Sequence, residues 1–483
     1  MEQRSEVVYK SVCENVEGKL LLKKEDGPQR KNRTFLYLSA VIANLFIFGV
    51  SSLFSWTSSA IEKLTSNSSD INPLGEPITA VQESWIASLL QLGAAIGPLL
   101  FGKLSDIIGR KKTLLIMAVT NVICLSILCY ARNITIFYIC RFINGLVIGM
   151  AFAITPVYLS EISEVHNRGA ISTLQGIFMN GGVLFSFLLG PLCSLKLLTF
   201  LCALPLILFI ILFGIFIPET PVFLVSVHKE DEAKEALKKL RMAKDVNDEF
   251  KSILASFEAL NKKEQGALEV FKDAGSRKAL IITIGLMFTS QCSAVNSVVS
   301  YLDTIFKASG STLPLYFLTN AVGVIQVVGN CISVALIEKL GRKILILTSV
   351  VGILLTEITL AVYFYLKDVQ QYNMEGMSWL PVTSTIAFIF FISLGLSPLP
   401  FTIMGEIFSH STKAFGSALG CCSGFLFSFV VTFLFRVFMN LYGLAFCFSL
   451  TSCFVFCGMV FIYFMLPETK GKSESEIQRM LIK

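Results

Sequence analysis

The sequence predicts an all-α membrane protein of twelve transmembrane helices in two pseudo-symmetric six-helix bundles. Three observations lead there. The 483 residues are 54% hydrophobic and only 15% charged, whereas a soluble domain carries about 25% charge. About twelve apolar runs are long enough to cross a bilayer, which takes roughly 20 residues. A set of charged motifs occurs twice, about 240 residues apart, which indicates two homologous halves. Such a chain cannot present a water-compatible surface, so an ordinary soluble enzyme, a disordered regulator and a nucleic-acid binder are excluded. The net charge of +6 does not restore the last, because a modest basic excess is usual in the cytoplasmic loops of membrane proteins.

Residues 1–34 are polar and mixed in charge, with no signal peptide before the first apolar run. They read as a cytoplasmic tail, with span 1 as the insertion signal. Spans 1 to 6 are expected near 35–56, 84–103, 113–131, 136–159, 170–190 and 194–217, giving a first bundle over 35–217. A charged linker follows at 218–278. Within it, 229–263 has helix-forming composition, with Ala233, Leu237 and Leu240 at helical spacing, and reads as a short amphipathic helical segment. Spans 7 to 12 are expected near 279–305, 314–337, 343–366, 381–404, 414–437 and 441–466, a second bundle over 279–466, with 467–483 as a tail.

Orientation follows from the basic residues. They crowd the N-terminal tail (Lys23, Lys24, Arg30, Lys31, Arg33), the turns after span 2 (Arg110, Lys111, Lys112) and span 8 (Arg342, Lys343), the linker and the C-terminal tail. Both termini are therefore expected in the cytoplasm. The loop after span 1 then faces outside and carries a glycosylation sequon at Asn67. The sequon at Asn32 is on the wrong side, and that at Asn133 is too close to the bilayer. The thirteen cysteines include no CxxC pair and mostly lie in apolar runs, where a reduced cysteine is a small apolar residue. The three histidines form no cluster. No metal site, cofactor or enzymatic centre is expected.

The repeat places matching residues at matching span ends. Asp106 to Lys111 after span 2 answers to Glu338 to Lys343 after span 8. Glu161 and Arg168 after span 4 answer to Glu406 and Lys413 after span 10. Pro218-Glu219-Thr220 after span 6 answers to Pro467-Glu468-Thr469 after span 12. Parallel halves with a site between them are a known transporter plan. Asp106, Arg110, Glu161, Arg168, Glu338, Arg342, Glu406 and Lys413 are therefore expected to form a gate, with Arg110 and Arg342 reaching Glu161 and Glu406. Partly buried pairs of modest net stability suit a switch between states of similar energy. The pairs are expected to close the inner side when the site faces outward, and to break when it faces inward.

Over nearly its whole length the chain resembles the sugar porter family of the major facilitator superfamily. The resemblance rests on Gly102 to Lys111, on Arg141-Phe142-Ile143-Asn144-Gly145 with Pro156 to Glu161 and Arg168-Gly169, on Pro218-Glu219-Thr220-Pro221 and on Pro467 to Gly471. Within the family, Trp56 to Ser59, Lys63-Leu64 and Ser393 are similar to the insect facilitated trehalose transporter group. The resemblance implies a sugar site on span 7, where the family reads Gln-Gln-x-Ser-Gly-x-Asn and this chain has Ser290-Gln291-Cys292-Ser293-Ala294-Val295-Asn296. The first glutamine is thus Ser290. Span 10 has Phe401 for a tryptophan, span 11 has Gly424-Phe425 for Asn-Trp, and span 5 has Gly176 for a glutamine.

Polar residues at mid-depth are costly and often functional. Gln291 and Asn296, with Tyr301 further outward, lead the candidate substrate ligands. Gln326 on span 8 and Gln175 and Asn180 on span 5 complete the polar set, Ser290 stands at the lost glutamine, and Phe401 and Phe425 supply an aromatic platform. Pro398 and Pro400 break span 10, and a broken helix frees backbone groups beside a cavity. Glu357, within span 9, is expected to face the scaffold. Span 1 has no Asp or Glu to titrate against Arg141 and no nucleotide motif is present, so passive uniport of trehalose, glucose or a related small polyol across the plasma membrane is favoured. A non-transporting nutrient sensor and a proton-coupled symporter are the alternatives. The expected partners are the sugar and the lipid bilayer, with no nucleic acid.

Overall fold

In the computed structural model, span 1 is one helix from Thr34 to Leu64, reaching well beyond its apolar run. The structure describes residues 33–482 other than 165–166, 244, 262–270, 272, 312, 409–411 and 473. Hydropathy falls at Ser55-Trp56-Thr57-Ser58, but burial does not, because each side chain finds a partner on another span. Ser55 Oγ donates to the Val183 carbonyl at 2.8 Å and Trp56 Nε1 to Thr199 Oγ1 at 2.9 Å. Thr57 Oγ1 accepts from Arg141 at 2.6 Å, and Ser58 Oγ donates to Asp303 at 2.8 Å. The serine-rich end of the helix is an internal seam.

All regular elements among the described residues are helices. Ten are long and apolar enough to cross a membrane. The last of these, Lys413–Met465, is interrupted at Gly443 (φ 82°, ψ 173°). There the chain folds back, bringing Phe435 to 5.9 Å from Phe448 and Phe438 to 5.7 Å from Phe446. It therefore supplies spans 11 (413–442) and 12 (444–465). Span 5 is the 22-residue helix Arg168–Leu189. With it, and with the long helix divided, the described residues offer twelve candidate spans. Span 6 shows why lipid is the fitting solvent. Phe200, Leu204, Leu208, Ile211 and Ile215 are all exposed along one face, a stripe that water would not tolerate.

Each half has its own core. Spans 1 to 6 pack around Phe46, Trp56, Phe137, Tyr158, Phe209 and Phe213. Spans 7 to 12 pack around Tyr301, Tyr363, Phe364, Phe388 and Phe448. This second core also takes in Ile61, Ala87, Val183 and Phe187 from the first half, so the halves meet along spans 1, 2 and 5. Spans 2 and 4 touch backbone to backbone: a Cβ on Gly145 would lie 2.2 Å from the Leu90 carbonyl oxygen. This is the small-residue packing of membrane helices.

Two spans are broken. Span 7 runs as Ala274–Cys292, Val295–Ser300 and Leu302–Ser309, with Ala294 at φ 56°. Span 10 runs as Trp379–Phe391, a widened turn and Leu399–Ile407. The backbone freed at this second break is taken by span 9 rather than left beside a cavity. Ser349 Oγ donates to the Phe391 carbonyl at 2.6 Å and accepts from the Leu396 N–H at 3.0 Å.

The linker forms two longer helices instead of one segment, Glu230–Arg241 and Asn247–Asn261, separated at Met242 (φ 48°). Ala233, Leu237 and Leu240 are buried as their spacing predicts. Arg241 anchors the pair beneath span 4, bonding Glu249 at 2.8 Å and the Ile162 carbonyl at 2.9 Å. The C-terminal segment is also structured. Helix Glu474–Ile482 buries Ile477 and Leu481, and Gln478 Nε2 donates to the Ile407 carbonyl at 2.7 Å, capping the end of span 10.

Candidate functional site

Spans 1 and 12 begin and finish at one end of the bundle, called here the terminus end. The polar links that join the halves among the described residues lie at the other, far end. Ser58 bonds Asp303, Glu62 pairs with Lys307 at 2.8 Å, and Glu83 receives Arg436 in a two-pronged pair at 2.6 and 2.9 Å. Trp85 packs beside that pair, 4.9 Å from Phe433. Glu83 and Arg436 are both largely buried. The sequence reading missed this closure. Its signal was present as single ionisable residues at span ends, each of which marks a functional candidate in a membrane helix. Tyr301 belongs to the closure. It is only 1% exposed and lies parallel to Phe435 at 6.5 Å.

Below the closure, the break in span 7 brings Gln291 and Asn296 together. Asn296 Nδ2 donates to Gln291 Oε1 at 2.9 Å and to Ser428 Oγ of span 11 at 2.7 Å. Both amides are half-buried. Ser290 is buried on the preceding turn. On span 8 of the same half, Gln326 Oε1 is buried without a hydrogen-bond partner among the described residues. On span 5, Asn180 Nδ2 donates to the Gly176 carbonyl at 2.8 Å, and Gln175 is half-buried. A Cβ at Gly176 would meet nothing within 4 Å, whereas one at Gly424 would meet Met287 Sδ at 3.0 Å. Span 5 thus leaves open space at its glycine, and a methionine occupies the space at the other. Phe425 reaches the first half, 6.5 Å from Phe152. Phe401 is 45% exposed on the first turn after the span 10 break.

The duplicated motifs at the terminus end build two matching networks. In the first half, Arg110 pairs with Glu161 and with Asp106, both at 3.1 Å, and Thr220 Oγ1 donates to Glu161. Glu219 accepts the Lys111 N–H at 3.0 Å. In the second half, Arg342 pairs with Glu406 at 3.0 Å, Thr469 Oγ1 donates to Glu406 at 2.6 Å, and Glu468 accepts the Arg342 and Lys343 N–H groups at 3.0 Å. Each arginine therefore pairs inside its own half. These pairs are formed while the far end is closed, so the expected break at the terminus end does not accompany that closure here. Arg168 and Lys413 stand in the first turns of spans 5 and 11 and Glu338 in the last turn of span 8, but their side chains lie outside the described residues.

The two halves differ electrostatically. Burial pushes the Glu219 carboxyl above its usual range, against N–H bonds from Thr220 and Lys111. Burial acts the same way on Glu468. There the N–H groups of Lys470, Arg342, Lys343 and Thr469 outweigh it and hold the carboxyl below that range. Arg141 completes the picture. It is fully buried, and its guanidinium donates to the Leu53 and Ile86 carbonyls at 3.1 and 3.0 Å and to Thr57 Oγ1, with Trp56 facing it at 5.3 Å. Its named partners are all neutral. Glu357 is fully buried in the second half.

Gln291 keeps two amide hydrogens free of Asn296, so it is placed to donate to a hydroxyl. Gln291→Ala is expected to raise the half-saturation concentration for a transported polyol about tenfold, the worth of one or two lost hydrogen bonds. An unchanged concentration dependence would remove Gln291 from the site.

The family model for sugar (and other) transporters matches residues 34–481. The chain belongs to this family. The facilitated trehalose transporter Tret1 of Drosophila willistoni is 32% identical over 449 residues, covering 92% of this chain and 51% of the relative. Its namesake in Culex quinquefasciatus is also 32% identical, covering 92% of this chain and 86% of the relative. The chain thus spans about half the length of several curated relatives, including the first. Among solved structures, the xylose transporter XylE from E. coli in an inward open conformation superposes with a TM-score of 0.76 at 19% identity, covering 92% of this chain and 99% of that one. The fold is that of the major facilitator superfamily, as the motifs imply.

Proposed function

We propose that this protein is a facilitative sugar carrier, not an enzyme, that moves trehalose, glucose or a related small polyol across the plasma membrane by alternating access. The observation that carries the proposal is the Gln291–Asn296–Ser428 cluster, set at a helix break between two halves that are latched at one end. Amide donors and acceptors at that depth match a substrate rich in hydroxyls. The kinship with facilitated trehalose transporters supports sugar as the substrate. Arg141 favours uniport. A proton-coupled mechanism needs a group that titrates, and the partners named for Arg141 are carbonyls, a hydroxyl and a ring. In this reading both termini lie in the cytoplasm, so that the far end faces outside and the exposed Asn67 is open to glycosylation. The bundles 35–217 and 279–466 move as two bodies, with linker 218–278 and segments 1–34 and 467–483 on the inner side. In this reading the Arg110–Glu161 and Arg342–Glu406 networks stiffen each body, and any exchange of partners between the halves at the inner side involves the same residues.

The test is uptake of radiolabelled trehalose and glucose in oocytes at two external pH values, with surface expression measured in parallel. Saturable uptake that is the same at both values is expected. Uptake that rises with external acid would replace uniport by proton coupling. No uptake of either sugar despite surface expression would sink the carrier reading for these substrates.

A further inference from the structure

Spans 3 and 4 leave a groove between them on the surface of the first bundle. Val122, Ile123 and Ile127 of span 3, Tyr130 just past its end and Ile136 of span 4 line a space of about 550 Å³. Ile123, Ile127 and Tyr130 are exposed. Ser126 also lies in the wall, but its hydroxyl donates to the Val122 carbonyl at 2.8 Å and asks nothing of an occupant. An exposed apolar groove of this kind marks a membrane or ligand contact. Its length suits an acyl chain. From Val122 to Tyr130 the helical rise amounts to about 12 Å, and one leaflet of the hydrocarbon core is about 15 Å deep. Tyr130 stands at the far end, so the groove runs from the membrane boundary through most of one leaflet.

The mouth of the groove carries charge of one sign. Lys196 begins span 6 and sets its ammonium 4.3 Å from the centroid of the Tyr130 ring. Tyr130 therefore belongs to two features at once, as a wall of the groove and as a platform for a cation. Lys196 is exposed, and so is Arg132, two residues beyond Tyr130. Among the described residues no carboxylate pairs with either. Asn133 caps the start of span 4, its Oδ1 accepting the Thr135 N–H at 2.9 Å, which adds the positive end of that helix to the same place. An apolar trough below and an unpaired ammonium at its rim match the two parts of a membrane lipid: a hydrocarbon tail and a phosphate.

We propose that this groove is a phospholipid site, with one acyl chain lying between spans 3 and 4 and the phosphate resting on Lys196, in the leaflet that borders the far end. The ligand class is a glycerophospholipid. Its phosphate is common to choline, ethanolamine and anionic headgroups, so recognition by Lys196 needs no net charge on the lipid. A sterol would fill the trough and leave the ammonium without a partner. The site is independent of what the protein carries, and its failure would leave the carrier reading untouched.

The experiment uses the purified chain in phosphatidylcholine vesicles that contain a trace of phosphatidylcholine with a diazirine in one acyl chain. After irradiation the labelled peptides are quantified. The exposed face of span 9, with Ile344, Val351, Leu355 and Val362, measures casual lipid contact. Peptides over 122–136 are expected to carry about three- to tenfold more label than span 9, the worth of one hydrogen bond to the phosphate. Lys196→Gln is expected to bring the two close to equal. Lys196→Arg keeps a phosphate donor and is expected within about twofold of the parent. Ser126→Phe fills the trough and is expected to lower the label on 122–136 as far as Lys196→Gln does. Melting in detergent checks that each variant is folded, and the exposed Lys196 supplies the test even if Ser126→Phe is not. Added phosphatidylcholine is expected to raise the melting temperature of the parent more than that of Lys196→Gln. Equal label on 122–136 and span 9 in the parent would mean casual lipid only and would overturn the site. Label that Ser126→Phe removes and Lys196→Gln leaves would overturn the phosphate contact, and the phospholipid assignment with it. Loss of the label on adding an equal amount of a sterol would replace the phospholipid by a sterol.

Discussion

Arg436→Ala is expected to open the far end. The Glu83–Arg436 pair joins span 2 to span 11 at 2.6 and 2.9 Å and is largely buried. It exists only while the halves are closed there; on opening, both groups meet water. Removing one member of a buried pair leaves the other charged and unpaired, at a cost of about 3–5 kcal/mol. That cost falls on the closed state, so the balance should move by roughly two to four orders of magnitude toward the open one. Hydrogen–deuterium exchange reads this directly. Peptides over 80–92 and 428–440 should lose protection in Arg436→Ala, while those over the terminus-end networks keep it. Glu83→Gln, which can still accept from Arg436, should shift less. The Glu83→Leu/Arg436→Leu double variant should regain much of the protection, because no buried charge is stranded. Unchanged exchange in Arg436→Ala would mean that the apolar contacts of Trp85 hold the closure without the pair.

What the sequence made legible follows from where the information sits. The terminus-end networks were readable because the same charged residues recur at matched span ends, and Arg110–Glu161 and Arg342–Glu406 are the pairs that result. The expectation was of charges pairing across the bundle as a gate, whereas each of these two pairs forms inside one half. The state in which the pairs form was not legible, since a motif carries no record of what the opposite end is doing. Gln291 and Asn296 were legible as polar residues at mid-depth. Ser428 was not. A serine in an apolar helix commonly bonds a carbonyl one turn back, as Ser39, Ser84 and Ser449 do, and nothing local distinguishes the one that reaches across to span 7. Glu83, Asp303 and Arg436 were hidden for a related reason. Each is a single charge near the end of its run, and their relation appears only when spans 1, 2, 7 and 11 converge. Hydropathy also misled at the end of span 1, where polarity signalled a loop and burial against four other spans kept the helix going.

Gly109→Ala should be among the most damaging single substitutions outside the site. Gly109 has φ 101° and ψ 159°, and its counterpart Gly341 has φ 89° and ψ 166°. That region is essentially closed to residues with a Cβ, and forcing one into it costs on the order of 1–3 kcal/mol. At Gly109 the new methyl would also lie 2.3 Å from Glu219 Oε2 and 2.9 Å from the Phe223 ring. A carboxylate at the end of a flexible chain could ordinarily swing away. This one is held by the Lys111 and Thr220 N–H groups, so moving it strands donors that the turn needs. At Gly341 the corresponding contact, with Glu468 Oε2, is looser at 2.7 Å. The expected order of thermal stability in detergent is therefore parent, then Gly341→Ala, then Gly109→Ala lowest. Gly109→Ala/Glu219→Ala should not recover to the parent, because the clash is relieved while the backbone strain and the unbonded N–H groups remain. Equal melting of Gly109→Ala and parent would show that the turn between spans 2 and 3 can adopt another path. In that case the first-half network would be too loose to act as a rigid support for Arg110, and the stiffening role proposed for it would fall with the prediction.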